Sequence, residues 1–458
     1  MAEKPTYTRG SILKVMLSTA LSMIPGTLAI SGYNVVDSYF VGKLGTPQQA
    51  AMGFTFPVVM MVSCVYRGLG GGVMTPVSQL LGGGRQLQAA RMITGGVMLL
   101  TLFGIAISTL GIILINPVFH RLGADDTLLP MIRNYMVIWY AGSLSVTLGD
   151  AGAHLLVSAG SPRLGGLMIM LGLVLNAVLD PLFIFGWKFI PGSGIAGAAI
   201  ATVAAQIVTL VLVTAILHWK LHLIARISEV FPIPRLLNAW KTILRYGIPS
   251  ILGMILNPAG MAVITWAVAA TGGKTAVAGA SVATRIEAVA FIFPMSLGMS
   301  LLPIIGQNYG AKRFDRIDTC RRVSTIFAFL FLVVISVFFC ILAPWFASFF
   351  SKDPEVIEIM VRCVRITAWG FGFIEVHRYS GFFFTGVGKA KSGAALNILR
   401  VVGLMVPFTL VAMYFKSLNG IFFSRLAADV LAGITGATLA RALTHKLMRQ
   451  NDSAALPH

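Results

Sequence analysis

Two side chains one helical turn apart carry the chemistry that sets this sequence apart. In the run Asn176-Ala177-Val178-Leu179-Asp180-Pro181-Leu182-Phe183-Ile184-Phe185-Gly186, an amide and a carboxylate interrupt an apolar stretch long enough to cross a bilayer. A spacing of four puts both on one helix face, and Pro181 removes a backbone donor and loosens the turn before it. An ionised carboxylate in hydrocarbon is costly, so an intramembrane Asp reads as a functional group facing a bundle interior or a water-filled cavity. Asp37 stands near the end of the first apolar run and Thr202 lies in the run after Asp180. At 1.5 Å per residue from basic starts near Lys14 and Arg163, Asp37 rises roughly 35 Å and Asp180 roughly 25 Å, while Thr202 descends about 14 Å from Ser193. One shared polar pocket is expected. Two carboxylates close together in a low dielectric cannot easily both stay ionised, so the pair takes up protons as a coupled unit. With the oxygens of Asn176 and Thr202 it would alternatively hold Na⁺, a hard cation that prefers oxygen ligands. The plain alternatives are an interfacial Asp37, a packing hydrogen bond at Asp180, and a Thr202 hydroxyl bonded to its own helix backbone.

The elements that must position these groups are transmembrane helices. The chain has 458 residues, 57% of them hydrophobic and 11% charged, and a mean hydropathy of +0.84, far from the range of soluble domains. Apolar runs near the bilayer-spanning length recur from end to end without barrel-like alternation. Twelve spans are predicted, at about 12–38, 48–80, 91–116, 130–157, 164–187, 193–218, 243–270, 277–306, 321–347, 357–384, 393–415 and 420–444. The polar start Met1 to Arg9 leads straight into the first span and lacks the form of a cleavable signal. The net charge of +19 is a topology signal. With both termini cytoplasmic, inward loops carry basic residues such as Lys4, Arg85, Arg163, Lys241 and Arg313, and outward loops roughly threefold fewer, among them Lys43, Lys188 and Lys352. No basic stretch is interleaved with aromatics, which argues against nucleic acid as a partner. Cys64, Cys320, Cys340 and Cys363 form no CxxC-type pair and imply neither a disulfide framework nor a metal site.

The longest internal polar segment divides six spans from six: an N-terminal lobe at 1–218, a cytoplasmic linker at 219–242 and a C-terminal lobe at 243–458. The linker contains Phe231-Pro232-Ile233-Pro234-Arg235, which is expected not to continue a helix. With a shift of about 228, Leu44-Gly45 falls on Gly272-Gly273, Ser78-Gln79-Leu80-Leu81-Gly82 on Gly306-Gln307-Asn308-Tyr309-Gly310, Arg85 on Arg313, Asp125 on Asp353 and Gly160-Ser161-Pro162-Arg163 on Gly388-Lys389-Ala390-Lys391. Six spans per repeat make the repeats parallel, related by a pseudo-two-fold axis along the membrane normal. An all-α polytopic protein of two six-helix lobes around a V-shaped central cleft is the expected architecture. Pro25 and Gly26 are expected to interrupt span one, and Pro294, Gly298 and Pro303 to loosen span eight.

The sequence resembles the multidrug and toxic compound extrusion (MATE) family across nearly its whole length. The resemblance rests on Asp37 followed by Val41-Gly42-Lys43-Leu44-Gly45, on Ser78 to Gly82, on Asn176 to Gly186, on Gly194-Ile195-Ala196-Gly197-Ala198-Ala199-Ile200-Ala201-Thr202 and on Gly306 to Lys312. It implies a secondary active antiporter of the bacterial inner membrane that exports organic, often cationic, compounds in exchange for H⁺ or Na⁺ by alternating access. The branch with an acid in its first helix, DinF-like and archaeal-like, places the coupling site in the N-terminal lobe. That pattern carries over to Asp37, Asn176, Asp180 and Thr202. Another branch uses acids in spans seven and ten; here span seven has Asn257 and no acid, while Glu375 lies near the expected place in span ten.

Other charges invite pairing. Arg425 and Asp429 are four apart and Glu375 and Arg378 three, so each pair is expected to neutralise itself on one helix face. Asp150 of span four is placed to reach Arg67 of span two, and His154, one turn further, reads as a proton relay or a structural histidine. Arg285, Glu287, Arg362, Arg365 and Arg400 are expected at a lobe interface, lining the cleft or snorkelling. A soft cleft surface is assigned to Tyr33, Phe54, Met61, Met254, Met261, Trp266, Phe291 and Met295. Small organic solutes and membrane lipids are the expected partners, with no cofactor beyond the coupling ion, and a monomer is expected. An exporter of lipid-linked or oligosaccharide intermediates would share the plan but needs a basic cleft. A membrane enzyme is disfavoured, because HExxH, GxSxG and GxxxxGK[ST] are all absent.

Overall fold

The computed structural model describes residues 6–455 apart from Phe189 and Phe231. Lys4 and Phe231, used above for topology and for the linker, therefore lie outside the described residues. Six helices come first: α1 (Ile12–Gly42), α2 (Thr46–Gly82), α3 (Gln86–Arg121), α4 (Leu129–Ser158), α5 (Pro162–Phe185) and α6 (Ile195–Ala215). A short hairpin, β1 (Gly186–Trp187) and β2 (Ile190–Pro191), joins α5 to α6, with Gly186 opposite Pro191 and Trp187 opposite Ile190. After one turn, α7 (Ile227–Val230), comes α8 (Ile233–Ala290), which holds span seven and the start of span eight. Its helical backbone breaks inside, at Gly273, where φ is +69°, a conformation that glycine adopts without steric cost. Span eight resumes as α9 (Ile292–Gly310) and span nine is α10 (Phe314–Phe350). Span ten is α11 (Pro354–Thr367) and α12 (Phe371–Gly386) across a 3₁₀ turn. Span eleven is α13 (Ala390–Ile398) and α14 (Val406–Tyr414) across a π turn at Leu399–Met405, and span twelve is α15 (Leu418–Ala455).

This is the twelve-helix, two-lobe membrane fold. Among the described residues, nine helices are long and apolar enough to cross a bilayer on length and composition alone. Spans four and ten carry the polar groups described below, and spans eight and ten are each divided, which is why hydropathy by itself undercounts them. Two sequence-based expectations are corrected here. Pro25 and Gly26 lie inside an unbroken α1; a proline within a helix interior removes one backbone bond without ending the helix when neighbours hold it. The Pro232–Pro234 motif separates α7 from α8 as expected, but the helix of span seven, expected from about 243, already begins at Ile233, because Pro234 falls in its first turn, where the missing N–H has no helical partner to lose.

The chain divides into two compact units, the first containing Ser22–Ile251 and the second Tyr7–Leu21 with Leu252 onwards. In the first, small residues bring backbones together around α5. A Cβ at Gly166 would collide with the Ser22 carbonyl of α1, one at Gly26 would lie 3.3 Å from Ile169, and one at Gly197 would strike the Phe183 backbone. Ser193 and Gly194 N–H donate to the carbonyls of Phe183 (2.8 Å) and Ile184 (3.1 Å), so the hairpin fixes how α6 returns along α5. The segment before α7 is strapped to α3: Ala225 N–H donates to Thr94 Oγ1 (3.0 Å), and Trp240 Nε1 of α8 donates to the Gly95 carbonyl (2.9 Å).

The second unit is closed by the chain's own beginning. Tyr7, 2% exposed, donates its N–H to Gln307 Oε1 (3.2 Å), and its carbonyl accepts from Asn308 Nδ2 (3.2 Å) and Arg316 Nη2 (3.0 Å), while Arg316 Nη1 donates to the Gly10 carbonyl (2.6 Å). The Gly306-Gln307-Asn308 motif thus serves to hold backbone. We expect Gly197→Val, which forces a side chain into the α5 backbone, to cost about 1–3 kcal/mol and to lower the thermal unfolding midpoint of the detergent-solubilised protein; an unchanged midpoint would contradict the packing described.

Candidate ion site in the first unit

Three helices of the first unit bring the predicted acids together. α5 buries Asn176 and Asp180 completely, both 0% exposed, and α1 delivers Asp37, 8% exposed, within hydrogen-bonding reach of Asp180 and Asn176. The interfacial alternative for Asp37 is thereby excluded. Asn176 Nδ2 donates to Asp180 Oδ1 (3.3 Å) and to Thr202 Oγ1 of α6 (3.3 Å). Thr202 Oγ1 donates in turn to the Ala198 carbonyl (3.0 Å), so the hydroxyl both satisfies its own helix and offers its oxygen to the pocket. Three oxygens are left over. Asp37 Oδ1, Asn176 Oδ1 and Asp180 Oδ2 are buried and have no hydrogen-bond partner among the described residues. Buried polar atoms are otherwise nearly always paired, and an orphan trio including two carboxylate oxygens is the donor set a small hard cation or a proton would satisfy. Two like charges sharing one buried pocket repel, so a proton or a small cation would relieve it. No cluster of three or more His, Cys, Asp or Glu side chains occurs among the described residues; the site rests on two carboxylates with amide and hydroxyl oxygens.

The pocket continues one turn further along each helix, through residues that sequence reasoning missed or misplaced. Gln206 Nε2 donates to Tyr33 Oη (2.9 Å), and a Cβ at Gly172 would collide with the Tyr33 hydroxyl. Tyr33 therefore belongs to the wall of the acid pocket, where a cleft-lining role was expected. Gln206 follows Thr202 by four, and Gly172 precedes Asn176 by four. That periodicity was a usable signal. The buried Tyr135 of α4 lies within electrostatic range of both carboxylates.

A second polar cluster in the same unit forms as anticipated. Arg67 Nε lies 3.4 Å from Asp150 Oδ2, and His154 Nε2 3.8 Å from Asp150 Oδ1. In the second unit the expected pairings are partly rearranged. Glu375, fully buried, holds Arg378 at 2.8 Å as anticipated. Arg425 and Asp429 do not pair with one another: Arg425 Nη2 meets Glu287 Oε2 (2.6 Å), with Thr367 Oγ1 on Glu287 Oε1 (2.6 Å), and Asp429 Oδ1 takes Arg400 Nε (2.7 Å). Partners on other helices are available at closer range than the one along the helix, which sequence spacing does not reveal. Glu287 and Arg400 are accordingly buried ion-pair members. Arg362 pairs with Glu358, and Arg365 Nε donates to the Cys340 carbonyl (3.2 Å).

The soft residues have different surroundings within each unit. Phe291 packs against Phe371 and under the Arg378 guanidinium, Phe54 packs on a core of the first unit, and Met261 lines an internal cavity of the second unit with Thr265, Thr367 and Arg425. Met61, Met254, Trp266 and Met295 are exposed.

A polytopic helical protein of two repeated halves with a buried, oxygen-rich pocket belongs to the class of membrane transporters. A family profile described as MatE matches residues 23–182 and 249–411, and the chain belongs to this family, the MATE transporters. It is 32% identical over 434 residues, 95% of each chain, to the FAD transporter of Shewanella oneidensis, and 23% identical over 453 residues, 96% of each chain, to the multidrug export protein MepA of Staphylococcus aureus. Among solved structures it resembles an Asp-to-Asn mutant of the Vibrio cholerae MATE transporter VcmN, with a TM-score of 0.88, 26% identity and coverage of 95% of this chain and 97% of that one. It also shares its fold with a MOP superfamily transporter from Pyrococcus furiosus, with a TM-score of 0.89, 23% identity and coverage of 98% and 99%. The chain is a multi-pass membrane transporter. Removing one partner of a buried pair leaves a charge uncompensated, so Asp429→Asn should destabilise the protein by about 3–5 kcal/mol. The double variant Arg400→Met with Asp429→Leu should recover most of the loss in thermal unfolding, and no recovery would contradict the pairing.

Proposed function

We propose that this protein is an ion-coupled antiporter that exports organic compounds across a bacterial plasma membrane, with both termini cytoplasmic, by alternating access of two lobes, 1–218 and 243–458. The observation that carries the reading is the trio of buried, unpartnered oxygens on Asp37, Asn176 and Asp180. An external H⁺ or Na⁺ that occupies them neutralises the pocket, and the ion drives transport only to the extent that its affinity differs between the inward- and outward-open states. Thr202 supplies the fourth oxygen, and Tyr33 with Gln206 forms the wall across which α1 adjusts when the charge changes.

Two substrate readings have separate support. Export of diverse organic compounds, cationic ones included, accords with the relatives described as multidrug export proteins. A flavin dinucleotide as solute is favoured by the 32% identity to the FAD transporter over 95% of both chains. The acids themselves are too deeply buried to meet a large organic cation directly, which supports a role in holding the coupling ion, with substrate charge selected elsewhere. The lipid-linked exporter has less support, because, of the arginines that could form a basic cleft, Arg400 is taken up by Asp429 and Arg67 is paired with Asp150.

Substrate efflux from proteoliposomes, with pH and Na⁺ gradients imposed separately, tests the reading and identifies the ion. We expect Asp37→Asn and Asp180→Asn each to lower gradient-driven efflux by at least about tenfold, the scale of losing a charge-assisted contact. Undiminished gradient-driven efflux by both variants would remove the proposal.

A further inference from the structure

The Arg67–Asp150–His154 cluster is not needed for ion binding, and its geometry suits a different task. Arg67 lies 15 residues before the end of α2 at Gly82, roughly 22 Å along the helix, yet its side chain is 45% exposed. A guanidinium left open at such depth is compatible with a water-filled space and costly against lipid. Its Nε lies 3.4 Å from Asp150 Oδ2, and His154 Nε2 lies 3.8 Å from the other oxygen of that carboxylate. The two Nη groups have no partner among the described residues. Arginines of the second unit are spent differently: Arg400 and Arg425, with side chains 11% and 17% exposed, are closed in by acids. On the same face of α2 as Arg67 stand Cys64, one turn away, and Met60, a further turn on and 40% exposed. Methionines give a polarizable apolar surface that accepts flat rings of varied shape. A planar guanidinium, oriented from one edge and free at the other, is matched to two oxygens of a phosphate or carboxylate.

We propose that Arg67, held in place by its ion pair with Asp150, is the recognition point for the anionic group of an aromatic solute whose ring lies on Met60. The inference deepens the reading of the chain as an exporter of organic solutes and rests on it for the substrate, but not on ion coupling. The anion could belong to a soluble phosphate ester or to a lipid headgroup; the depth of Arg67 favours the soluble ester.

Flavin mononucleotide and riboflavin share one ring and differ by a phosphate, so they isolate the contact. Binding is followed by flavin fluorescence with the purified full-length protein in detergent and no gradient. The wild type should bind flavin mononucleotide more tightly than riboflavin. Arg67→Gln should weaken the mononucleotide about tenfold and riboflavin less than twofold, Arg67→Lys should fall between, and anionic phosphatidylglycerol should not displace the mononucleotide. A wild type that does not prefer the phosphate ester, equal losses for both flavins, no loss for either, or displacement by phosphatidylglycerol each overturns the proposal. Melting curves of both variants identify misfolding, and the Lys variant keeps the charge should Gln fail to fold. Because no gradient is present, failure of ion coupling leaves this result standing, and loss of the phosphate preference leaves ion coupling standing.

Discussion

The cost of keeping carboxylate oxygens out of water governs this structure. Asp180 has no exposure and Asp37 almost none, and neither is met by an arginine or lysine. Every other buried acid at membrane depth discussed above is neutralised by a fixed cation: Glu287 by Arg425, Glu375 by Arg378, and Asp429 by Arg400. The first unit thus leaves its carboxylates without a fixed cation, whereas each of these second-unit acids has one, although Glu375 Oε1 has no hydrogen-bond partner among the described residues. A buried charge without a resident partner is a standing demand for a mobile one, and in a membrane the mobile partners of that size are the proton and small hard cations.

The packing of the first unit follows from that demand. Asp37 reaches Asp180 only because α1 can lie close against α5, and it does so where glycines remove the side chains between them, at Gly26, Gly166 and Gly172. The hairpin after Phe185 returns α6 along the same face and brings Thr202 and Gln206 to bear. With the shift of about 228 that relates the two halves, Gly172 corresponds to Arg400 and Asp37 to Thr265. Where one lobe keeps space for a tyrosine hydroxyl, the other inserts a guanidinium and a matching acid. The repeat therefore conserves helices while the two halves carry opposite electrostatic solutions.

Charge at the second cluster of the first unit is handled in a third way. Arg67 and Asp150 are joined but neither is sealed, so the pair keeps an edge facing outward, unlike the closed pairs of the second unit. Exposure rather than charge count distinguishes a pair that holds helices together from one that meets a solute.

The sequence by itself determined the class of the molecule: apolar runs marked a polytopic membrane protein, the internal register gave two six-helix halves, and an acid in an oil-like run, four residues from an amide, marked the buried polar pocket. These signals are local or periodic, and burial cost makes them hard to mimic by chance. Tertiary structure alone decided which acids stayed unpartnered. Arg425 and Asp429 are separated by one helical turn yet choose partners on other helices, because in a close-packed bundle a group on a neighbouring helix approaches nearer than one along the same helix. The hydrogen bond between Tyr33 and Gln206, 173 residues apart, depended in the same way on a contact between helices. The oxygens left bare by all that pairing emerged only once every helix had been placed.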